Sequence, residues 1–208
     1  MGDNAKICLE QAILDLCETK HLSKITVTDV LKASGITKSC FYSNFRDIND
    51  LYHYIYWERI AASSWPALNK SYDDYLSACI IINRKIKNRY GKFFLQAIEC
   101  HGQNCLEEFI LEKTVAFDFN MAKQFYSEDK YDRLLFACRF YAHGWIHSRC
   151  DWIRSGYKMP IKEFAQQICD SRFALLTWLM GDNEKAKSML QCPDLAIISD
   201  TSIHRDFH

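Results

Sequence analysis

Residues 25–52 read ITVTDVLKASGITKSCFYSNFRDINDLY. Two short helical patterns flank a glycine turn, and a Phe-Tyr-x-x-Phe run closes the second. Thr26, with Asp29 three positions on, has the form of a capping box, in which the hydroxyl takes an orphan amide and the carboxylate reaches back. Val27, Val30 and Leu31 then supply an apolar face at helical spacing. Gly35 ends that helix where a left-handed backbone is cheapest for glycine. Thr37 caps a second helix, Lys38 to Asn44, across the short turn. Phe41 and Phe45, four apart, share the face that packs on the first helix. Lys38, Ser39, Tyr42 and Ser43 are left pointing outward. A face kept merely for solubility would carry Glu and Lys, whereas lysine, hydroxyls and a phenol suit phosphate oxygens and base edges. This is the grammar of a helix-turn-helix that lays a helix in a DNA groove.

Two short helices around a glycine also occur in α-proteins for packing reasons alone, and charge placement separates the two readings. From Lys20 to Arg46 the cations are Lys20, Lys24, Lys32, Lys38 and Arg46, against the single anion Asp29, in a chain of zero net charge. A local basic patch on a neutral protein is the electrostatic footprint of phosphate binding. Asp3, Glu10, Asp15 and Glu18 make the preceding helix acidic, so the positive surface is confined to the reading element.

The runs Thr26-Val27-Thr28-Asp29-Val30, Ala33-Ser34-Gly35-Ile36-Thr37-Lys38, Phe41-Tyr42-Ser43-Asn44-Phe45 and Asp50-Leu51 together resemble the signature of the tetracycline-repressor (TetR/AcrR) family. The matching positions span roughly the first sixty residues, which makes them far more specific than a lone glycine turn. The resemblance implies an all-helical homodimeric transcription regulator with a variable ligand-sensing domain behind its DNA-binding head. Its partners would be double-stranded DNA bearing a palindromic operator, a small-molecule effector and a second copy of the chain. We expect Thr26, Thr28, Tyr42 and Asn44 to serve phosphates and Lys38, Ser39, Cys40 and Ser43 to face base edges, with Thr37 at the helix start among them. Two positions depart from the family pattern. Leu31 stands where a small alanine is usual, and Asn44 where a histidine commonly touches the backbone phosphate; asparagine still donates such a bond.

The whole chain, at 208 residues, suits a head over residues 1–63 and one larger helical domain over 64–208. With 7 glycines and 3 prolines, breakers are few and long helices are expected, about nine in all, in an all-α fold. The connecting helix is expected from Asp47 to Ser64, ended by Trp65-Pro66. Later helices are expected at Ser71–Asn88, Gly91–Gln103, Asn104–Tyr126, Tyr131–Ser155 and Pro160–Met180, followed by a short segment DNEKAKSMLQ and a polar tail. The longest apolar run, around Ala78–Ile82, is far too short for a bilayer. The charged N-terminus does not resemble a secretory signal. Ten cysteines without a Cys-x-x-Cys pair then point to reduced thiols in the cytoplasm.

In the body, Phe164, Ile168, Leu175 and Leu179 mark an apolar stripe, and Tyr141 and Trp145 lie on the helix before it. Together they are the expected dimer surface, in a four-helix bundle across a two-fold axis. The runs around Phe140–Trp145 and Trp152–Gly156 also resemble the body of a subgroup of these regulators. An aromatic-rich stretch between the fifth and eighth helices is the expected effector region, with Phe94, Gln96, His101, Phe117 and Tyr126 as candidate ligand contacts. His143, His147 and Cys150 share a helical face at a spacing that suits a soft divalent ion, but no fourth ligand is evident, and neither a metal nor a cofactor is expected. No Gly-rich phosphate loop, Gly-x-Ser-x-Gly or His-Glu-x-x-His occurs, so enzymatic activity is not expected. Two other readings stay open: an accessory regulator of the same fold acting through protein contacts, and a thiol-dependent helical enzyme.

Overall fold

The computed structural model of the chain describes residues 2–68 and 71–180, and these form helices and their connections without a strand. The head consists of α1 (Gly2–Thr19), α2 (Val27–Ser34) and α3 (Lys38–Asn44), and α4 (Ile48–Tyr54) leads out of it. The body holds α5 (Tyr72–Lys85), α6 (Gly91–Ile98), α7 (Leu106–Ala122), α8 (Tyr131–Arg154) and α9 (Ile161–Met180). The DNEKAKSMLQ segment, the polar tail and Cys192 lie outside the described residues.

Local chemistry shapes the head. The capping box forms in both directions: Thr26 N donates to Asp29 Oδ2 (2.8 Å) and Asp29 N to Thr26 Oγ1 (3.2 Å). Gly35 ends α2 at φ 70°, in the left-handed region where a Cβ is strained. Thr37 caps α3 by accepting from Cys40 N (3.2 Å). Phe41 and Phe45 are buried, and they join Leu9, Ile13 and Val30 in a core that runs without a break into the body.

The connecting helix differs from its expected form. α4 passes into a π-helical turn, Ile55–Ala61, and then a 3-10 segment, Ala62–Ala67, that runs through Pro66. Proline has no N–H to give to an α-helical ladder, and a short, tighter helix accommodates it. A second π-helical turn, Ile86–Tyr90, joins α5 to α6. Both π turns present a guanidinium to the same buried carboxylate. Glu10 of α1 is 2% exposed and accepts from Arg59 Nε (2.6 Å), Arg89 Nη2 (3.3 Å) and Tyr90 Oη (2.7 Å). Beside it, Gln96 of α6 accepts from Leu22 N (3.0 Å) and donates to Cys17 O (3.3 Å). These side chains fasten head to body.

The stripe expected to meet a second subunit is turned inward. Tyr141, Phe164 and Ile168 are buried within the chain, where α9 packs on α5 and α8. Tyr141 Oη donates to Ile168 O (3.3 Å), and Trp152 stacks on Phe164 with centroids 4.5 Å apart. Trp145 and Leu175 are half-buried, and the side chain of Leu179 lies outside the described residues. Helical periodicity marks an apolar face but not what covers it, and here the chain's own helices do. The large apolar side chains that α8 shows to solvent are Phe136 and Phe140, at 71% and 70% exposure.

Candidate nucleic-acid interface and body cavity

On α3 the side chains of Lys38, Ser39, Tyr42 and Ser43 are exposed, Cys40 and Asn44 are half-buried, and Thr26, Thr28 and Thr37 are exposed beside them. Phe41 fixes the helix from beneath and touches Tyr42 edge-on, centroids 5.2 Å apart. Two of the five cations of the patch are already partnered. Lys20 Nζ lies 2.7 Å from Asp29 Oδ2, and Arg46 Nε 3.5 Å from Asp50 Oδ2. Lys24, Lys32 and Lys38 have no ion pair among the described residues, so the free positive charge gathers at and around α3. Asn44 turns its amide inward, where Nδ2 donates to Cys40 O (2.8 Å). Hydrogen bonds from Lys20 and from the Thr26 amide and hydroxyl hold the Asp29 carboxyl down at about 2.

Behind the head, the connecting segment and the body enclose a cavity of about 50 Å³. Tyr56 and Trp65 reach it from the connecting segment, Phe117 and Asp118 from α7, Trp145 and Arg149 from α8, and Arg172 from α9. Of the five expected ligand contacts, Phe117 lines this wall. Phe94 lies behind it in the core, 5.6 Å from the Arg149 guanidinium carbon. Gln96 is committed to the head–body joint, and Tyr126 packs on the small cluster of Val115 and Leu134. His101 is exposed on the loop before α7, its Nδ1 3.8 Å from Glu107 Oε2.

Charged residues that the sequence reading passed over form the polar side of this cavity. Arg172 and Asp118 are both almost fully buried and paired, with Nη2 2.7 Å and Nε 3.2 Å from Asp118 Oδ1. Burial works against the Arg172 charge, but the Asp118 carboxylate outweighs it and lifts the pKa above its ordinary value. Arg149 is 4% exposed; its Nε donates to Asn83 Oδ1 (2.9 Å) and its plane sits 4.3 Å from the Trp145 ring. A sequence signal existed. Arg149 follows Trp145 by four and Asp118 lies between Val115 and Ala122, so each charge falls on an apolar, inward helical face.

The α8 histidines gather with a different third residue from the one expected. Cys150 is buried, whereas His143 and His147 are exposed. Glu107 of α7 joins them, with Oε1 3.0 Å from His147 Nε2 and all three sets of donor atoms within 4.8 Å of one another. The described cysteines are all unpaired. Among the described residues no helix is long and apolar enough to cross a membrane.

Residues 85–171 match the family model TetR_C_8, a transcriptional regulator C-terminal region. No curated protein matches the chain. Among solved structures, the dihydroxyacetone kinase operon activator DhaS is similar over 83% of this chain and 96% of its own, at 17% identity and a TM-score of 0.56. At that identity the likeness is one of fold. The match describes a regulator and not an enzyme. A capped helix-turn-helix on an all-helical body, together with this C-terminal match, supports reading the chain as a transcriptional regulator of TetR type.

Proposed function

We propose that the chain is a cytoplasmic, ligand-responsive repressor that binds a near-palindromic operator as a homodimer and leaves it when a small molecule enters the body cavity. The observation that carries the DNA reading is the outer face of α3. It offers Lys38, Ser39, Tyr42 and Ser43 to solvent while Phe41 and Phe45 hold the helix rigidly on the head core. Effector response is supported by connectivity. The cavity is walled by Tyr56 and Trp65 of the connecting segment, and α4, at the start of that segment, follows α3 across the Phe45–Asp47 turn. A ligand that displaces those aromatics pulls on the element that orients the reading helix. The test is a mobility shift against the DNA upstream of the chain's own gene. Three cations per head without an ion pair among the described residues give a dimer six, and each phosphate neutralised contributes about −0.9 to the slope of log K against log salt, so a slope on the order of −5 is expected.

A second reading is an accessory activator that docks on another protein. The pairing of Lys20 and Arg46 with carboxylates favours it, because it trims the basic footprint. The structural neighbour DhaS is, by its title, an operon activator. A folded dimer that shifts no upstream DNA at low salt would select this reading over the first.

A further inference from the structure

We propose that the body cavity takes a small monocarboxylate anion, received by the Arg149 guanidinium. This rests on the reading of the cavity as the effector site and names the chemical class of the effector. Arg149 is a buried cation with an unfinished hydrogen-bond set. Its Nε is spent on Asn83 and the Tyr56 hydroxyl also bonds the guanidinium, while among the described residues Nη1 is buried and has no partner, and the neighbouring Asn83 Nδ2 is a second buried donor without one. A buried donor left unmade is costly, and a buried charge without a counter-ion more so. Trp145 and Phe94 face the guanidinium at 4.3 Å and 5.6 Å, which offsets part of the charge but supplies no acceptor oxygen.

The charges on the cavity identify the missing partner. They are Arg149, Arg172 and Asp118, and the last two are bonded to each other. One positive charge remains, which matches a monoanion; a phosphate dianion would bring a second negative charge with nothing to meet it. A planar carboxylate accepts from a guanidinium fork in the geometry that fork presents. The rest of the wall, including Trp65, Leu68, Ile82 and Phe117, is apolar and suits a hydrocarbon body. That body is short. A cavity of about 50 Å³ is well below the ~150 Å³ that admits benzene. Acids of two to four carbons are therefore the size class.

The experiment compares thermal melting of the full chain in sodium propionate, in propionamide and in sodium chloride, at matched ionic strength. A ligand at tenfold its Kd raises the Tm of a protein this size by about 3–6 °C. Propionate is expected to give that rise while propionamide and chloride do not, and Arg149→Met is expected to abolish it. If Arg149→Met does not fold, the carboxylate–amide comparison on the unaltered chain still decides. Equal stabilisation by propionamide would keep the cavity as a ligand site but overturn the anionic class. Equal stabilisation by chloride would overturn the carboxylate assignment, and a propionate shift that survives in Arg149→Met would place the anion elsewhere. If no acid or amide from acetate to butyrate changes the Tm, the effector-cavity reading fails as well.

Discussion

Lys38 and Asn44 open and close α3, and they stand in different states: the lysine is exposed and has no ion pair among the described residues, and the asparagine amide is bonded back into its own helix. On the proposed DNA reading, base discrimination would therefore rest more on Lys38 than on Asn44. Lys38→Ala is expected to weaken operator binding by about 1–3 kcal/mol and to relax preference at one base pair. Binding assays on operator variants check this, and equal weakening on every sequence would make Lys38 a phosphate contact instead. Asp29 carries a pH signature. Its pKa is held at about 2 against an ordinary 3.8, so the folded head favours the ionised form. That contribution is complete above about pH 4 and is lost as the pH falls from 3.8 towards 2. Asp29→Asn is expected to flatten the loss of head helicity across that window in an acid titration followed by circular dichroism. Asp118 makes a stability prediction. Removing it strands Arg172 at 2% exposure, and Asp118→Ala is expected to lower the unfolding free energy by about 3–5 kcal/mol in denaturant melts.

At the scale of elements, the head was legible and the joint was not, for a reason of distance along the chain. Thr26, Asp29, Gly35 and Thr37 act on amides within four residues of themselves, so their roles can be read from spacing alone. Glu10 meets partners 49 to 80 positions away and Gln96 partners 74 and 79 away, which no local pattern reveals. The same limit explains the aromatic stretch. Its periodicity shows that Phe94 and Phe117 are internal, but the packing of α8 and α9 decides that only Phe117 reaches the cavity. The two π turns were equally hidden, since a widened turn leaves apolar spacing almost unchanged. Gln96 gives the joint a test. Gln96→Ala leaves Leu22 N and Cys17 O without their partner, and is expected to destabilise the chain by about 1–3 kcal/mol. Hydrogen exchange at the Leu22 amide is expected to accelerate while exchange in α8 keeps its protection. Unchanged exchange at Leu22 would mean that the head is held by Glu10 and the apolar core alone.

For the whole molecule, the inward turn of the expected stripe changes which surface the proposed homodimer would use. Ile168 lines the cavity and Tyr141 is bonded within the core, so a charge at Ile168 unfolds the body before it can separate subunits. Phe136 and Phe140 stand on the solvent face of α8, one turn apart, with Gly144 on the next turn; among the described residues a Cβ at Gly144 would meet nothing within 4 Å beyond its own stretch of helix backbone and its two chain neighbours. Two large exposed apolar side chains beside a small residue form a surface that another helix can approach closely. The homodimer proposed above would set its two-fold seam there. Phe136→Asp puts a carboxylate where water already reaches, so the melting of the isolated subunit is expected to stay within about 0.5 kcal/mol of the parent chain. In a dimer the same carboxylate is buried without a partner, and sedimentation is expected to show a monomer. Operator affinity follows from geometry. Two reading helices about 34 Å apart bind one palindrome as a linked pair, and unlinking them removes a gain of about 10²–10⁴ in affinity. The footprint is then expected to shrink to a half-site or vanish. A Phe136→Asp chain that sediments as a dimer and protects the full palindrome would move the seam off this face of α8.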